Sequence, residues 1–138
     1  MITTMKTSSS TILVVEDEKS LLNAWAEIFR REGLNVLTAP DGKSALNLAL
    51  RWRPDLVVVD LVLPHSDGLA LVKKLRENKW GQKIPVMYLS SRIGPEAEKK
   101  PPSSLEPADS YLEENWSFEQ VVREAKNKLS LAKLNSSA

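Results

Sequence analysis

The chain has no cysteine and a single histidine, His65. Without cysteine there is no disulfide framework, no zinc–thiolate site and no thiol nucleophile. One histidine cannot build a zinc site or a Ser-His-Asp triad, and a solvated loop position is the simplest interpretation of His65. These absences exclude several common kinds of catalytic site, and they fit the reducing cytoplasm that we predict as the location.

Long apolar runs and an excess of one charge are also missing. No run approaches the ~20 residues that cross a bilayer, and residues 1–10 lack the apolar core of a signal peptide. The 138 residues carry 19 basic and 18 acidic side chains, for a formal net charge of +1. We therefore predict no membrane contact and no direct nucleic-acid partner. The absence of a glycine-rich phosphate loop removes support for an NTPase or a dinucleotide-binding protein.

The most informative stretch of the sequence runs from Asp55 to Gly68. Residues 56–59 are continuously apolar and mostly β-branched, which indicates a strand buried on both faces, as in a parallel sheet. Asp60 follows where this strand gives way to a loop, and ligands of open α/β sheets bind at that edge. Considered alone, Asp60 is explained equally well as an ordinary strand-end residue.

Strand and helix patterns alternate along the rest of the chain. The predicted strands cover residues 12–15, 36–39, 56–59, 85–89 and 110–112. The predicted helices begin at Ser20, at residue 42, at Gly68 and after Ser117, where Gln120 completes a capping box. This alternation predicts a doubly wound parallel α/β sheet.

The chain is short enough to form one domain. We expect a disordered tail over residues 1–10, the domain over 11–133 and a C-terminal tail over 134–138. The proline-rich stretch 92–107 breaks the alternation, because it has too few apolar side chains to form the buried face of a helix.

Acidic residues follow two of the predicted strands. In a parallel sheet Glu16, Asp17 and Asp60 lie at the carboxyl edge, and right-handed crossovers make their strands neighbours. Such carboxylates repel by roughly 1 to 4 kcal/mol per pair in wet surroundings. A hard divalent cation offsets this repulsion, and Mg²⁺ is the usual one beside a phosphoryl group. A carboxylate near Mg²⁺ is a reasonable nucleophile toward phosphorus, and Ser90 would add a hydroxyl donor.

The first half of the chain carries motifs that resemble the receiver domain of the two-component response regulator family. Residues 12–17 resemble the first strand of that family and the acidic pair that follows it. The stretch from Asp60 to Gly68, with Pro64 and Asp67 inside it, resembles the family's phosphoacceptor motif. Several motifs in the right order make this resemblance specific.

The second half of the chain extends the resemblance to about residue 130. Residues 85–91 resemble the family's fourth strand, with Ser90 at the position of its Ser/Thr switch residue. Residues 108–112 are similar to the segment that carries its switch aromatic, here Tyr111. From the residues alone, Ser90 as a simple strand-end hydroxyl and Tyr111 as a core side chain stay open.

The resemblance implies a flavodoxin-like sheet of five strands in the order 2-1-3-4-5, with Asp60 as the phosphoacceptor. The Mg²⁺ ligands that it implies are Glu16, Asp17, Asp60 and the backbone carbonyl of Val62. It further implies a histidine kinase or a phosphotransfer protein as the phosphoryl donor. Signalling would proceed through protein contacts, with at most self-phosphorylation and self-dephosphorylation as catalysis, so we do not expect an enzyme.

Two features depart from the family pattern. Glu114 stands where the family has a lysine that contacts the phosphoryl group, and the stretch 92–107 stands where it has a fourth helix, which we expect to be short or absent. The alternative function is therefore a pseudo-receiver, a binding module with the fold but no working phosphoryl switch. A phosphatase of the aspartyl-phosphate type would need an aspartate two residues past Asp60, where Val62 stands.

Overall fold

Strands and helices alternate through the described part of the chain. The structure is a computed structural model and describes residues 10–60, 67–89, 109–112 and 117–136. The strands are β1 (Thr11–Val15), β2 (Asn35–Ala39), β3 (Leu56–Asp60), β4 (Val86–Leu89) and β5 (Ser110–Leu112). The helices are α1 (Lys19–Arg31), α2 (Gly42–Trp52), α3 (Asp67–Glu77) and α4 (Phe118–Ser136), with a 3₁₀ turn at Trp80–Gln82.

The five strands form one parallel sheet in the order β2-β1-β3-β4-β5. β3 lies at its centre, because it pairs with β1 on one side and with β4 on the other. The α/β class and the strand order predicted from the sequence are confirmed. The pairing of β1 with β3 brings the residues that follow these two strands to neighbouring positions at the carboxyl edge.

Both faces of the sheet are covered, which explains the unbroken apolar sequence of β3. Alternate side chains of a strand point to opposite faces. Leu13 of β1 and Val57 of β3 belong to a core shared with α2 and α3. Ile12 and Val58 belong to a second core, which contains Trp25 and other side chains of α1 and α4. These two cores hold β1 and β3 firmly side by side.

Local signals set the ends of the helices. The N–H of Ser117 donates to Oε1 of Gln120 at 2.7 Å, and the N–H of Gln120 donates to Oγ of Ser117 at 3.1 Å. This is the capping box that the sequence predicts. Gly33 follows α1 with φ 85, a left-handed conformation that glycine adopts easily. Arg53 ends α2 before Pro54 with φ 47, and its N–H donates to the carbonyl of Ala49 at 2.8 Å.

Some predictions concern residues that the structure does not describe. They include the short or absent helix within 92–107 and most of the tail over 1–10. α4 extends to Ser136, so the helix continues into the stretch 134–138 that we expect to be a tail. The predicted domain boundaries stay predictions. Within the described ranges, no helix combines the length and the apolar character needed to span a membrane.

Candidate functional site

The carboxyl edge of the sheet brings three acidic side chains together. Asp60 is the last residue of β3, and Glu16 and Asp17 directly follow the neighbouring strand β1. One carboxylate oxygen from each residue lies within 4.8 Å of the other two. The structure therefore places side by side the three carboxylates that the sequence predicts to meet at this edge.

The three carboxylates differ in their exposure. Glu16 and Asp60 are each 3% exposed, whereas Asp17 is more exposed than either. Burying two carboxylates together is unfavourable unless a proton or a cation offsets their charge. The site is therefore a nearly buried pair of acids with a third acid at its rim.

Backbone hydrogen bonds hold Glu16 in place. Its N–H donates to the carbonyl of Ala39 at the end of β2, at 3.1 Å. Its Oε2 accepts the N–H of Glu18 at 3.0 Å. Glu18 in turn caps α1, because its carboxylate accepts the N–H groups of Ser20 and Leu21 at 3.0 and 3.2 Å. The short segment between β1 and α1 thus fixes both the start of the helix and the position of the Glu16 carboxylate.

Burial, helped by a hydrogen bond with Asp60 and by repulsion from it, raises the pKa of Glu16 to about 8. The hydrogen bond from the backbone of Glu18 acts in the opposite direction but is outweighed. In the absence of a cation, this raised pKa favours the protonated form of Glu16 at neutral pH. A cation that binds these oxygens must displace that proton, so metal binding and proton release are linked.

Gly68 allows the first turn of α3 to lie directly against the end of β3. A Cβ atom at this position would be 3.0 Å from the carbonyl oxygen of Asp60 and 3.1 Å from Cγ2 of Val59. Glycine avoids this crowding because it has no Cβ. The glycine of the predicted phosphoacceptor motif thus has a packing role beside the acidic cluster.

The chemistry of the donor set fits a hard divalent cation. Glu16, Asp17 and Asp60 all offer carboxylate oxygens, which are the ligands that Mg²⁺ and Ca²⁺ prefer. Thiolate and imidazole ligands, which favour softer metals, are not part of this described cluster. A cation here would also offset the repulsion within the buried pair.

Of the other predicted site residues, Val62, Ser90 and Glu114 lie outside the described residues. The backbone of Tyr111 lies in β5, opposite Tyr88 of β4. The roles predicted for these four positions stay predictions.

A buried ion pair at the opposite edge of the sheet escapes the sequence analysis. Arg76, near the end of α3, and Asp109, just before β5, approach within 2.8 Å. They lie 33 positions apart in the sequence and belong to different predicted elements. Helical or strand spacing carries no signal for such a pair, because only the packing of α3 beside β4 and the pairing of β4 with β5 bring the two side chains together.

Comparisons with known proteins agree with this architecture. A family model described as the response regulator receiver domain matches residues 12–126. The chain is 38% identical over 112 residues to the probable transcriptional regulatory protein TcrX of Mycobacterium tuberculosis, covering 81% of this chain and 46% of TcrX. It is 40% identical over 81 residues to the alkaline phosphatase synthesis transcriptional regulatory protein PhoP of Bacillus subtilis, covering 59% of this chain and 33% of PhoP. The chain thus spans less than half the length of these two relatives.

Solved structures show the same fold. The chemotaxis response regulator CheY4 of Vibrio cholerae matches with a TM-score of 0.74 at 22% identity, covering 88% of this chain and 99% of CheY4. At this identity the likeness concerns the fold alone. The receiver domain from the hybrid histidine kinase CckA matches with a TM-score of 0.69 at 29% identity, covering 86% of this chain and 98% of that domain.

Fold and site together define a doubly wound α/β protein with a buried acidic cluster at the carboxyl edge of its sheet. The chain belongs to the response regulator receiver domain family of two-component signalling. The family resemblance read from the sequence is confirmed, and receiver domains are signalling modules rather than classical enzymes. The expectation that nucleic acid is not a partner gains no support, because both relatives are named as transcriptional regulators.

Proposed function

We propose that Asp60 accepts a phosphoryl group with the help of Mg²⁺, and that the chain signals through protein contacts. The observation that carries this proposal is the meeting of Glu16, Asp17 and Asp60 within 4.8 Å at the carboxyl edge. The proposed metal ligands are these three carboxylates together with the backbone carbonyl of Val62. Three carboxylates repel a phosphoryl group, which is itself negatively charged, unless a cation accompanies it.

The proposed chemistry is one nucleophilic substitution at phosphorus. A carboxylate oxygen of Asp60 forms a bond to phosphorus while the bond from phosphorus to the donor breaks, and the donor leaves with the electron pair of that bond. Bound Mg²⁺ would supply charge neutralisation for the phosphoryl oxygens.

Two further residues take part in the proposed switch. Ser90 follows Leu89, which pairs with Asp60 across the sheet, and its hydroxyl is proposed to donate a hydrogen bond to a phosphoryl oxygen. Tyr111 is proposed as the switch aromatic in β5. Glu114, at the position of the family lysine, adds negative charge instead of a phosphate contact. We therefore expect phosphoryl uptake to couple less strongly to a change of conformation than in family members that have the lysine.

The proposed donor is a histidine kinase or a phosphotransfer protein, and the proposed location is the cytoplasm. A downstream protein partner receives the signal. Relatives such as TcrX and PhoP are named as transcriptional regulators and are more than twice as long as the part matched here. Regulation of transcription by a longer protein that contains this chain is therefore compatible with the proposal.

Intact mass spectrometry tests the proposal directly. The chain is incubated with Mg²⁺ and acetyl phosphate beside two variants, Asp60→Asn and Asp55→Asn. Asp55 is an exposed carboxylate near the other end of β3 and serves as the matched control. We expect the parent and Asp55→Asn to gain one phosphoryl group, and Asp60→Asn to gain none. No gain in a folded parent that binds Mg²⁺ would favour the pseudo-receiver, and a gain in Asp60→Asn would place the acceptor elsewhere.

A further inference from the structure

The amino edge of the sheet contains a buried ion pair between Arg76 and Asp109. Nη2 of Arg76 donates to Oδ1 of Asp109 at 2.8 Å. The Asp109 side chain is fully buried, and the Arg76 side chain is 18% exposed. The same Oδ1 accepts the N–H of Val86, the first residue of β4, at 3.0 Å. The carboxylate is therefore met by a guanidinium and by a backbone donor, which is the condition for burying a charge without a large penalty.

Arg76 contacts more than its counter-ion. Nη1 donates to the carbonyls of Gly81 and Ile84 at 2.9 and 2.6 Å. One guanidinium thus connects the end of α3, the segment that enters β4 and the residue that precedes β5. Lysine cannot reproduce these contacts, because its ammonium is a point charge at the end of a flexible chain rather than a planar fork.

β5 depends on this connection more than the other strands do. It has three residues, Ser110–Leu112, and lies at the edge of the described sheet, where it pairs with β4. A short edge strand with one ladder belongs to the least stable part of a fold. Because Asp109 directly precedes β5, the ion pair holds the amino end of this strand against the start of β4.

The carboxyl end of β5 lies in the same row of the sheet as the acidic cluster. Asp60 pairs with Leu89 of β4, and Leu89 pairs with Leu112 of β5. β5 therefore has its amino end held by Asp109 and its carboxyl end two strands away from Asp60. Among the described strands, only β4 lies between Asp60 and the carboxyl end of β5. A displacement of Asp60 would therefore reach β5 through β4.

We propose that the Arg76–Asp109 ion pair fixes the amino end of β5, and that the carboxyl end of β5 shifts relative to it when Asp60 is phosphorylated. Arg76 is then a positioning residue that acts through β5 and does not touch the phosphoryl group. Its loss loosens β5 and removes the response of β5, while Asp60 still accepts the phosphoryl group. The shift of β5 on phosphorylation rests on the proposed function, whereas the anchoring of β5 by the ion pair does not.

Two variants of the full chain separate anchoring from general stability. Arg76→Lys keeps the charge and loses the fork, and Asp109→Asn keeps an acceptor oxygen and loses the charge. Arg31→Lys is the matched control, because Arg31 pairs with Glu27 on α1 with both side chains more than half exposed. Residue-resolved amide hydrogen exchange is measured by NMR in each protein, first without a phosphodonor. If Arg76→Lys does not fold, Asp109→Asn provides the same comparison.

Without a phosphodonor, we expect the amides of residues 110–112 to exchange about tenfold faster or more in Arg76→Lys. The amides of β3 exchange through global unfolding, so they should accelerate by the loss of global stability that urea denaturation measures on the same variant. Arg31→Lys should match the parent throughout. Acceleration at β3 without acceleration at residues 110–112, or none in either, would overturn the anchoring, since the opening of β5 would then leave the ion pair intact.

With Mg²⁺ and acetyl phosphate, we expect exchange at Leu112 to change in the parent and to stay constant in Arg76→Lys, while both proteins gain one phosphoryl group. If the phosphodonor changes exchange at Leu112 as much in Arg76→Lys as in the parent, the proposed role of the ion pair in this change is wrong. The absence of a mass gain in the parent would overturn the proposed function and the response with it. The exchange measured without the phosphodonor would still decide whether the pair anchors β5.

Discussion

At the carboxyl edge of the sheet, two buried carboxylates face each other, whereas at the amino edge a buried carboxylate faces an arginine. Glu16 and Asp60 are each 3% exposed, and they repel each other when both carboxylates are ionised. The side chain of Asp109 is fully buried but lies 2.8 Å from Arg76. Both edges bury acids to a similar degree, so burial alone does not distinguish a binding site from a structural contact. The nature of the partner distinguishes them.

A buried charge that is offset within the chain is a structural contact, whereas one that is not offset points to a ligand. A carboxylate with a cationic partner and a backbone donor has its charge offset within the chain, as Asp109 does. Like charges held together destabilise the fold until something from outside offsets them. Such a conflict is typical of a binding site, where local interactions are not optimised for stability. The three predictions that follow test this contrast.

The largest effect is expected when the ion pair at the amino edge is broken. Arg76→Met leaves the Asp109 carboxylate buried without its cation, and this should lower the free energy of unfolding by about 3–5 kcal/mol. Urea denaturation at neutral pH measures this loss from the shift of the unfolding midpoint. We expect the slope of the free energy of unfolding against urea concentration to stay constant. Adding Asp109→Asn to Arg76→Met should restore part of the loss. A loss below about 1 kcal/mol would mean that the pair behaves like a surface ion pair.

Removing a charge at the carboxyl edge should stabilise the chain rather than destabilise it. Glu16→Gln eliminates the conflict with Asp60 and should raise the free energy of unfolding near pH 8 by on the order of 2 kcal/mol without divalent cations. The pKa of Glu16 rises from 4.5 to about 8 in the folded chain. The folded state therefore binds more protons than the unfolded state between these values, so the parent should lose stability as the pH rises through this window.

Thermal unfolding in the presence of a chelator, from about pH 5 to about pH 8, measures this dependence. The parent should show the decline and Glu16→Gln should show much less of it. Mg²⁺ should stabilise the parent near pH 8 and flatten its decline, because a ligand that binds only the folded state stabilises it. A parent that gains stability over the same pH range without Mg²⁺ would contradict the raised pKa.

The smallest effect is expected for an ion pair away from both edges. Arg31 contacts Glu27 at 2.6 Å on α1, but their side chains are 74% and 64% exposed. Arg31→Gln should therefore change the free energy of unfolding by less than about 1 kcal/mol. Urea denaturation beside Arg76→Met provides the comparison. A loss as large as that of Arg76→Met would show that exposure does not explain the difference between the two arginines.

Much of the fold could be predicted because its signals are local. The unbroken apolar run of β3 reports burial on both faces, and Ser117 with Gln120 marks the start of α4 through adjacent side chains. The alternation of strands and helices, with right-handed crossovers, limits the order of the strands to few possibilities. The edge where Asp60 meets Glu16 follows from that order.

The α/β class and the meeting of three carboxylates could be predicted from the residues, because each depends on short-range patterns combined with a general rule of chain connection; the full strand order came from the family resemblance. The pKa of Glu16 could not be predicted in this way, because it depends on how completely the folded chain buries this residue beside Asp60. Only the tertiary structure decided the pairing of Arg76 with Asp109, since 33 residues separate them and no local periodicity relates α3 to the start of β5. Burial and long-range contact are properties of the packed chain, and they determine which buried charges are offset from within and which require a ligand.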